Sequence, residues 1–333
     1  MRLCPWCPVQ VLTLRRSQHG FIGKVHTVHF SVARQWSNAL LFRSQMTNLS
    51  NVIDTVRTHA LLDPGNLSAL LQCTADAELQ GLPSDIDSPK LTALHELLGE
   101  NWLGERVLDA CTHLVTVGLH SPDSDRPETN RLNSLILPSI FDVQLTNAYN
   151  ERHLSNTLKN LQKSLLADLP DIIAFTFNKR SVHWAPCIVS TKDLVVYQGD
   201  SLGWAADETM LAKLQWFLVD VLDTQGRWTE KALIVPDQGR ASGSCGIVSL
   251  NTIHAFIDPS VPPWRQEDAA THRRIWLKNL LQFHLDSVRA ANEVSASYSS
   301  HLRLADMLSL LAPSKPISCP FSTTRPSLSG WVR

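Results

Sequence analysis

Residues 236–257 read PDQGRASGSCGIVSLNTIHAFI, and this stretch decides how the rest of the chain is interpreted. A polar loop broken by glycines leads to Cys245 and continues into an apolar segment, which predicts that Cys245 lies in the first turn of a buried helix. Unpaired N–H groups and the positive end of the helix dipole favour a thiolate at such a position. Cys245 is therefore a candidate nucleophile, although most free cysteines are small buried apolar residues.

A cysteine nucleophile needs a base and a group that orients the base. Upstream of Cys245, residues 171–200 contain three β-rich runs separated by short polar turns, which predicts consecutive hairpins. His183 lies in the second run and Asp200 ends the third. Neighbouring strands can bring such residues together, so we interpret His183 as the base and Asp200 as the carboxylate that orients it.

The order of these residues resembles the Ulp1-like cysteine peptidases, the C48 family of SUMO proteases. In that family a His-Trp pair ends one strand, an Asp-Ser pair ends the next, and a glutamine precedes a Cys-Gly pair at a helix start. The matching residues are His183-Trp184, Asp200-Ser201, Gln238 and Cys245-Gly246. Residues 101–105, NWLGE, are similar to the family's Trp-Leu-Asn-Asp helix start. The resemblance covers residues 92–290.

The resemblance implies an α+β fold of the papain-like superfamily, with a small mixed β-sheet flanked by helices. It implies a cysteine-type peptidase or isopeptidase that cleaves after the Gly-Gly terminus of SUMO or a related ubiquitin-like protein, without a metal or organic cofactor. Cys245, His183 and Asp200 would form the triad. Gln238 would join the backbone N–H of Cys245 in stabilising the oxyanion.

The resemblance also implies substrate-binding residues. In relatives the terminal glycines pass through a tunnel roofed by two tryptophans, and the matching residues here are Trp102 and Trp184. Flat indoles can exclude any residue that has a side chain, while backbone hydrogen bonds hold the strand. Glu105 matches an acidic residue that in relatives pairs with an arginine of the ubiquitin-like protein. An ordinary solvated helix residue is the alternative interpretation of Glu105.

The sequence departs from the family pattern in two places. Ser244 precedes the cysteine where the family usually has Asp, and Gln238 lies seven positions before Cys245, where six is commoner in SUMO proteases. Two alternatives therefore stay open. One is a protease of the same fold with an unrelated protein substrate, and the other is an inactive module that binds a ubiquitin-like protein.

The composition is that of a globular protein. The 333 residues are 44% hydrophobic, and a formal net charge of -1 gives no indication of nucleic acid or an anionic membrane as partner. No apolar run in the sequence approaches the ~18 residues needed to cross a bilayer. The seven cysteines are scattered and form no disulfide pattern. We therefore expect a reducing intracellular compartment, the nucleus or the cytoplasm.

Three regions are expected along the chain. Residues 1–91 would form an N-terminal extension, poorly ordered in part, with one short helix after residue 54. Residues 92–291 would form the peptidase domain, and residues 292–333 a short helix and a tail rich in Ser and Pro.

Within the expected domain, hydrophobic periodicity and turn residues predict a series of elements. In chain order they are a helix after Trp102, a loop at 120–130, a helix from Leu154 to before Pro170, strands at 171–178, 181–189, 193–200 and 231–236, and helices at 205–224 and 266–291. The alternation of helices with short strands favours an α+β architecture.

Two further interpretations concern residues 1–53, which carry six basic residues and no acidic one. This composition is compatible with a mitochondrial targeting segment, but two prolines near its start would break the amphipathic helix that such a segment needs. The CPWC motif at residues 4–7, with His26 and His29, invites a zinc interpretation, but the spacing fits zinc fingers poorly. We favour neither interpretation.

Overall fold

The computed structural model of the chain describes residues 8–17, 20–120, 133–224, 227–239 and 242–311. The helices are α1 Phe30–Thr58, α2 Pro64–Leu70, α3 Glu105–His120, α4 Ile140–Glu151, α5 Asn156–Ala167, α6 Glu208–Trp216, α7 Cys245–Ile257 and α8 Ala269–Leu311. The strands are β1 Pro8–Ser17, β2 Gly20–His29, β3 Ser134–Leu137, β4 Ile172–Lys179, β5 His183–Ser190, β6 Val195–Gln198 and β7 Thr229–Ala232. Short 3₁₀ helices span Leu91–Leu97 and Gln266–Asp268, and a π-helical turn spans Phe217–Val221.

A mixed five-stranded sheet in the order β3-β4-β5-β6-β7 forms the centre of the fold, while β1 and β2 form a separate antiparallel pair. The central strands β4, β5 and β6 are joined by two antiparallel hairpins, as the sequence predicts. The outer strands β3 and β7 pair in parallel with their neighbours. All residues of β5 are buried, because helices cover both faces of the sheet around this central strand. The expected α+β fold with a small mixed sheet is confirmed.

The two faces of the sheet carry two hydrophobic cores. Alternate residues of β4 and β5 point to opposite cores, as the period of a strand requires. α7 packs on β5 and β4 in the first core, together with α3 and the end of α1. Residues 245–253 of α7 are all buried, because this sequence consists mainly of apolar and small residues. α4, α5 and α6 cover the second core.

The N-terminal region contributes more structure than the sequence predicts. α1 is 29 residues long, whereas only one short helix was expected after residue 54. Near its end Leu49, Val52 and Val56 recur at helical spacing and are buried in the same core as α7. Part of the stretch interpreted as an extension therefore belongs to this core, and the division of the chain at residue 91 stays a prediction.

Several smaller elements differ from the expected ones. β3 was not predicted, because a four-residue strand is too short to show a period. The helix that follows it, α4, was not predicted either. The strand expected at 231–236 is found at Thr229–Ala232, where every residue is exposed and hydrophobicity gives no signal. The helix expected at 205–224 is α6 followed by the π-helical turn.

The chain divides into two compact units, Met1–Ser287 and Val288–Arg333. α8 continues to Leu311, beyond the end expected at residue 291. The CPWC motif, nearly all of the loop expected at 120–130 and the tail from residue 312 lie outside the described residues. In the described part of the chain, no helix is both long and apolar enough to cross a membrane.

Candidate active site

Cys245 is the first residue of α7 and is 2% exposed. Ser244 makes no side-chain capping bond to the helix, so the N–H groups of the first turn are left to other partners. Ser249 Oγ donates to the carbonyl oxygen of Trp184 at 3.1 Å, which anchors α7 to β5. The structure thus places Cys245 at the start of a buried helix, where the sequence predicts it.

His183 is the first residue of β5, and its side chain hydrogen-bonds both Asp200 and Cys245. Its Nε2 lies 3.1 Å from Asp200 Oδ1. Burial works against a charged imidazole, but the hydrogen bonds and negative charges of the two partners outweigh burial and raise the pKa of His183 to about 9. The structure therefore brings the three expected triad residues together, with the imidazole between the sulfur and the carboxylate.

Asp200 follows β6 and uses both carboxylate oxygens. Oδ1 accepts the N–H of Leu202 at 2.8 Å in addition to facing His183, and Oδ2 accepts a hydrogen bond from Lys179 Nζ at 3.0 Å. Burial alone would raise the pKa of Asp200, but hydrogen bonds from His183, Leu202 and Lys179 lower it to about 2. Asp200 is consequently a carboxylate at neutral pH.

Lys179 and Trp204 adjoin the site, and sequence reasoning missed both. Lys179 is 4% exposed although it ends a strand at a hairpin turn, a position where a lysine is usually solvated. Trp204 lies against the imidazole of His183, with ring centroids 5.1 Å apart. The only sequence signal for Lys179 is the hairpin register, which pairs it with His183.

The side-chain amide of Gln238 is buried and held at both ends. Oε1 accepts a hydrogen bond from Ser201 Oγ at 2.7 Å, and Nε2 donates to the carbonyl oxygen of Ser242 at 2.8 Å. The backbone N–H of Gln238 also donates to the carbonyl oxygen of Ser201 at 3.2 Å. These bonds join the loop after Asp200 to the loop before Cys245. Because an amide nitrogen carries two N–H groups, Nε2 can hold Ser242 and serve a second acceptor.

Trp102 and Trp184 stack on each other, with ring centroids 5.4 Å apart and planes inclined by 13°. Trp184 is buried, and its Nε1 donates to the carbonyl oxygen of Leu103 at 2.8 Å. Trp102 lies in the loop before α3 and is 40% exposed. The rings are in direct contact, so no polypeptide fits between their faces in this conformation. Glu105 is exposed at the start of α3.

Arg273 of α8 is a buried cation in contact with Ser244, the residue before Cys245. Its guanidinium donates to the carbonyl oxygens of Glu96 at 2.9 Å and Asn101 at 2.8 Å, and reaches Ser244 Oγ at 3.4 Å. Burial lowers the pKa of Arg273, and the neighbouring Cys245 works in the opposite direction. Arg273 therefore ties the loop before α3 to the residue before the nucleophile, a role that no motif predicts.

The described residues contain four free thiols, those of Cys73, Cys111, Cys187 and Cys245. Burial raises the pKa of Cys111 and of Cys187, which keeps both as neutral core residues. Cys245 differs from these two because it hydrogen-bonds an imidazole. Within the described ranges, no group of three or more His, Cys, Asp and Glu residues could hold a metal ion.

Solved structures show what the fold is similar to. The Ulp1 protease domain in complex with Smt3, the yeast ortholog of SUMO, is 19% identical, covers 67% of this chain and 97% of that chain, and gives a TM-score of 0.49. The Ulp1-like SUMO protease catalytic domain of Chaetomium thermophilum is 16% identical over 68% of this chain and 94% of that chain, with a TM-score of 0.48. The Xanthomonas campestris effector protein XopD bound to ubiquitin is 19% identical over 55% of this chain and 91% of that chain, with a TM-score of 0.37. A sequence comparison with curated proteins gave no match.

The family comparison covers more than half of the chain. The model of the Ulp1 protease family, C-terminal catalytic domain, matches residues 101–290. This range contains every residue of the site described above, from Asn101 at the tryptophan loop to Arg273 on α8, except Glu96. The expected papain-like α+β fold of the Ulp1 type is therefore confirmed, and the chain belongs to the Ulp1 protease family of cysteine proteases.

Proposed function

We propose that the chain is a cysteine-type peptidase or isopeptidase that cleaves after the Gly-Gly terminus of SUMO or a related ubiquitin-like protein. The observation that supports this proposal is the hydrogen-bonded series of Cys245, His183 and Asp200 at the start of a buried helix. Membership of the Ulp1 family makes ubiquitin-like proteins the first substrates to test. A thiol nucleophile also suits a reducing compartment, for which we propose the nucleus or the cytoplasm.

In the proposed reaction, His183 takes the proton of the Cys245 thiol, and the sulfur attacks the carbonyl carbon of the terminal glycine. Asp200 engages Nε2 of His183, so Nδ1 is the nitrogen that remains for the sulfur. The imidazolium gives its proton to the leaving amine, the C–N bond breaks, and an acyl thioester stays on Cys245. Water, deprotonated by the neutral imidazole, then hydrolyses the thioester and releases the carboxylate product.

Gln238 and the backbone N–H of Cys245 would stabilise the oxyanion of both tetrahedral intermediates. The amide of Gln238 is fixed because its oxygen accepts the hydroxyl of Ser201, which orients the nitrogen away from that side. A donor that is fixed before the reaction needs no reorganisation when negative charge develops. A glutamine amide also donates at every pH, because it does not titrate.

Substrate entry requires the stacked indoles to separate. Trp102 is the ring that moves in our proposal, because it lies exposed in a loop, whereas Trp184 is buried and hydrogen-bonded. Two glycines need the narrowest opening, since they carry no side chain. Glu105 is exposed beside this loop and would pair with a basic residue of the partner, an interaction that contributes little to affinity on a solvated surface.

Activity-based probes test the proposal. SUMO, Nedd8 and ubiquitin with a thiol-reactive C-terminus are incubated with the full chain and with two variants, Cys245→Ala and Cys73→Ala. We expect an adduct with at least the SUMO probe, its loss in Cys245→Ala, and its retention in Cys73→Ala, because Cys73 is a half-buried thiol outside the site.

Other outcomes distinguish the alternatives. An adduct that persists in Cys245→Ala would assign the nucleophile to another residue. Binding of a ubiquitin-like protein without any adduct would make the chain an inactive binding module. If no probe binds and none forms an adduct, the remaining alternative is a protease of the same fold with an unrelated protein substrate.

A further inference from the structure

Lys179 is the last residue of β4 and lies directly opposite His183 in the antiparallel pair of β4 and β5. Its side chain does not extend into solvent like that of most turn lysines, since only 4% of it is exposed. A lysine is almost never buried to this extent unless its charge is paired. The group that pairs with the charge of Lys179 therefore indicates the role of this residue.

The partner is the carboxylate of the candidate triad. Lys179 Nζ donates to Asp200 Oδ2 at 3.0 Å and also to the carbonyl oxygen of Ala205. Asp200 Oδ1 faces His183. The carboxylate of Asp200 is thus shared. One oxygen faces His183, which can gain and lose a proton, and the other oxygen accepts a hydrogen bond from the Lys179 cation. The side chains of Lys179 and Asp200 are both nearly inaccessible to water, so solvent screens this arrangement only weakly.

The charged and titratable neighbours of His183 come from several elements. Lys179 and Arg180 belong to the hairpin of β4 and β5, Asp200 follows β6, and Cys245 begins α7. Trp204 contacts the imidazole, and the guanidinium of Arg180 lies 5.2 Å from the centre of the same indole ring. Arg273 of α8 interacts electrostatically with Cys245.

We propose that Lys179 is a positioning residue of the proposed peptidase, which fixes the Asp200 carboxylate and shares its negative charge, so that His183 releases its proton more readily to the leaving amine. Without this cation the full charge of the carboxylate would act on the imidazolium and hold the proton more strongly. The inference rests on the proposed function in one respect only, namely that the proton of His183 is transferred to the leaving amine of a substrate. The sharing of the carboxylate exists in the structure independently of any substrate.

Replacement of Lys179 by neutral residues tests the inference. Lys179→Gln keeps a hydrogen-bond donor but removes the charge, Lys179→Met removes both, and Lys179→Arg keeps the charge. Arg180→Gln is the matched control, because Arg180 is the adjacent cation and is exposed. The imidazole protons of His183 are titrated by NMR in protein with isotope-labelled histidine, and the resonance is assigned by its loss in His183→Gln.

We expect the titration of His183 to move to higher pH by about 1 pH unit in the Gln and Met variants, as removal of a nearby buried cation requires. Lys179→Arg and Arg180→Gln should titrate like the unchanged protein. With an active substrate, the basic limb of the pH profile of kcat/KM should move to higher pH by the same amount. A purely structural residue would not produce this change.

Three outcomes would overturn the inference. The first is an unchanged or lowered titration of His183 in folded Lys179→Gln or Lys179→Met. The second is an equal rise in Arg180→Gln. The third is failure of both neutral variants to fold while Lys179→Arg folds, which would make Lys179 a structural residue only. The NMR titration of His183 needs no substrate. A negative result with every ubiquitin-like probe would therefore contradict the proposed function, but the titration would still test the role of Lys179.

Discussion

The guanidinium of Arg273 donates to the carbonyl oxygen of Asn101 at 2.8 Å, across a sequence separation of 172 residues. Asn101 immediately precedes Trp102, and the same guanidinium reaches the hydroxyl of Ser244, immediately before Cys245. The loop that carries Trp102 and the loop that leads into Cys245 therefore share one anchor. A substitution on α8 can disturb the site without touching any of its proposed catalytic residues.

Arg273→Met should lower the free energy of unfolding by about 3 kcal/mol, because the carbonyl oxygens of Glu96 and Asn101 lose a charged donor that is itself buried. Arg273→Lys should recover only part of the loss, since an ammonium cannot reproduce the planar fork of a guanidinium. Urea denaturation measures both. The control is Arg274→Met, whose hydrogen bond to Thr271 is exposed and whose effect should stay within about 0.5 kcal/mol. Equal effects at the two positions would contradict the anchoring role.

Gln238→Met should reduce kcat on a SUMO substrate by about 100-fold, the usual cost of one oxyanion donor. Ser201→Ala removes the hydroxyl that orients Gln238 Oε1, and the loss of one buried hydrogen bond should reduce kcat by about tenfold. Steady-state kinetics separate kcat from KM in both variants. An effect on KM alone would assign Gln238 to substrate binding instead.

Gly243→Ala should destabilise the protein by about 1–3 kcal/mol, because a Cβ atom would lie 2.4 Å from the carbonyl oxygen of Glu100 and 2.6 Å from the carbonyl carbon of Asn101. Both contacts are backbone atoms, so one of the two loops must shift. Gly118→Ala is the matched control in α3, where nothing lies within 4 Å, and it should stabilise the protein by about 1 kcal/mol. Thermal unfolding compares the two, and a Gly243→Ala variant as stable as the unchanged protein would contradict the close approach.

The pH dependence of stability should report the state of His183. Its pKa is raised to about 9 from an unfolded value of 6.5, so its stabilising contribution is complete below pH 6.5 and is lost as pH rises through about 9. The contribution of Asp200 has the opposite sign, since its pKa is lowered to about 2 from 3.8, and it is lost as pH falls through that window. Denaturation of the unchanged protein and of His183→Gln from neutral to alkaline pH measures the first effect. Two curves that stay parallel would contradict the raised pKa.

The candidate triad could be predicted from the sequence because each member stands in a local pattern. Cys245 begins an apolar run, His183 begins a strand, and Asp200 follows the next strand, which a short turn makes its neighbour. Lys179 and Arg273 could not be found in this way. Each is defined by a partner distant in the chain, and a single lysine or arginine in a polar or amphipathic stretch looks the same whether it is solvated or buried.

The fold was predictable where hydrophobic periodicity was strong. The central strands and α5 and α7 are recognisable from apolar residues alone, and they lie close to the expected bounds. The apolar stripe at the end of α1 was missed, because the apolar residues of the helix as a whole show almost no preferred face. β7 was displaced in the prediction because an exposed edge strand carries no apolar pattern.

The stack of Trp102 on Trp184 has a consequence for the reactivity of the resting protein. The sulfur of Cys245 is nearly inaccessible, and Trp184 lies against the next residue, Gly246. Peroxide, glutathione and stray peptide ends then meet a shielded thiol. Under the proposed function, discrimination would begin before any bond is made, because a polypeptide end that cannot part the rings would not reach Cys245. The free energy needed to part them would be subtracted from the affinity of one that can.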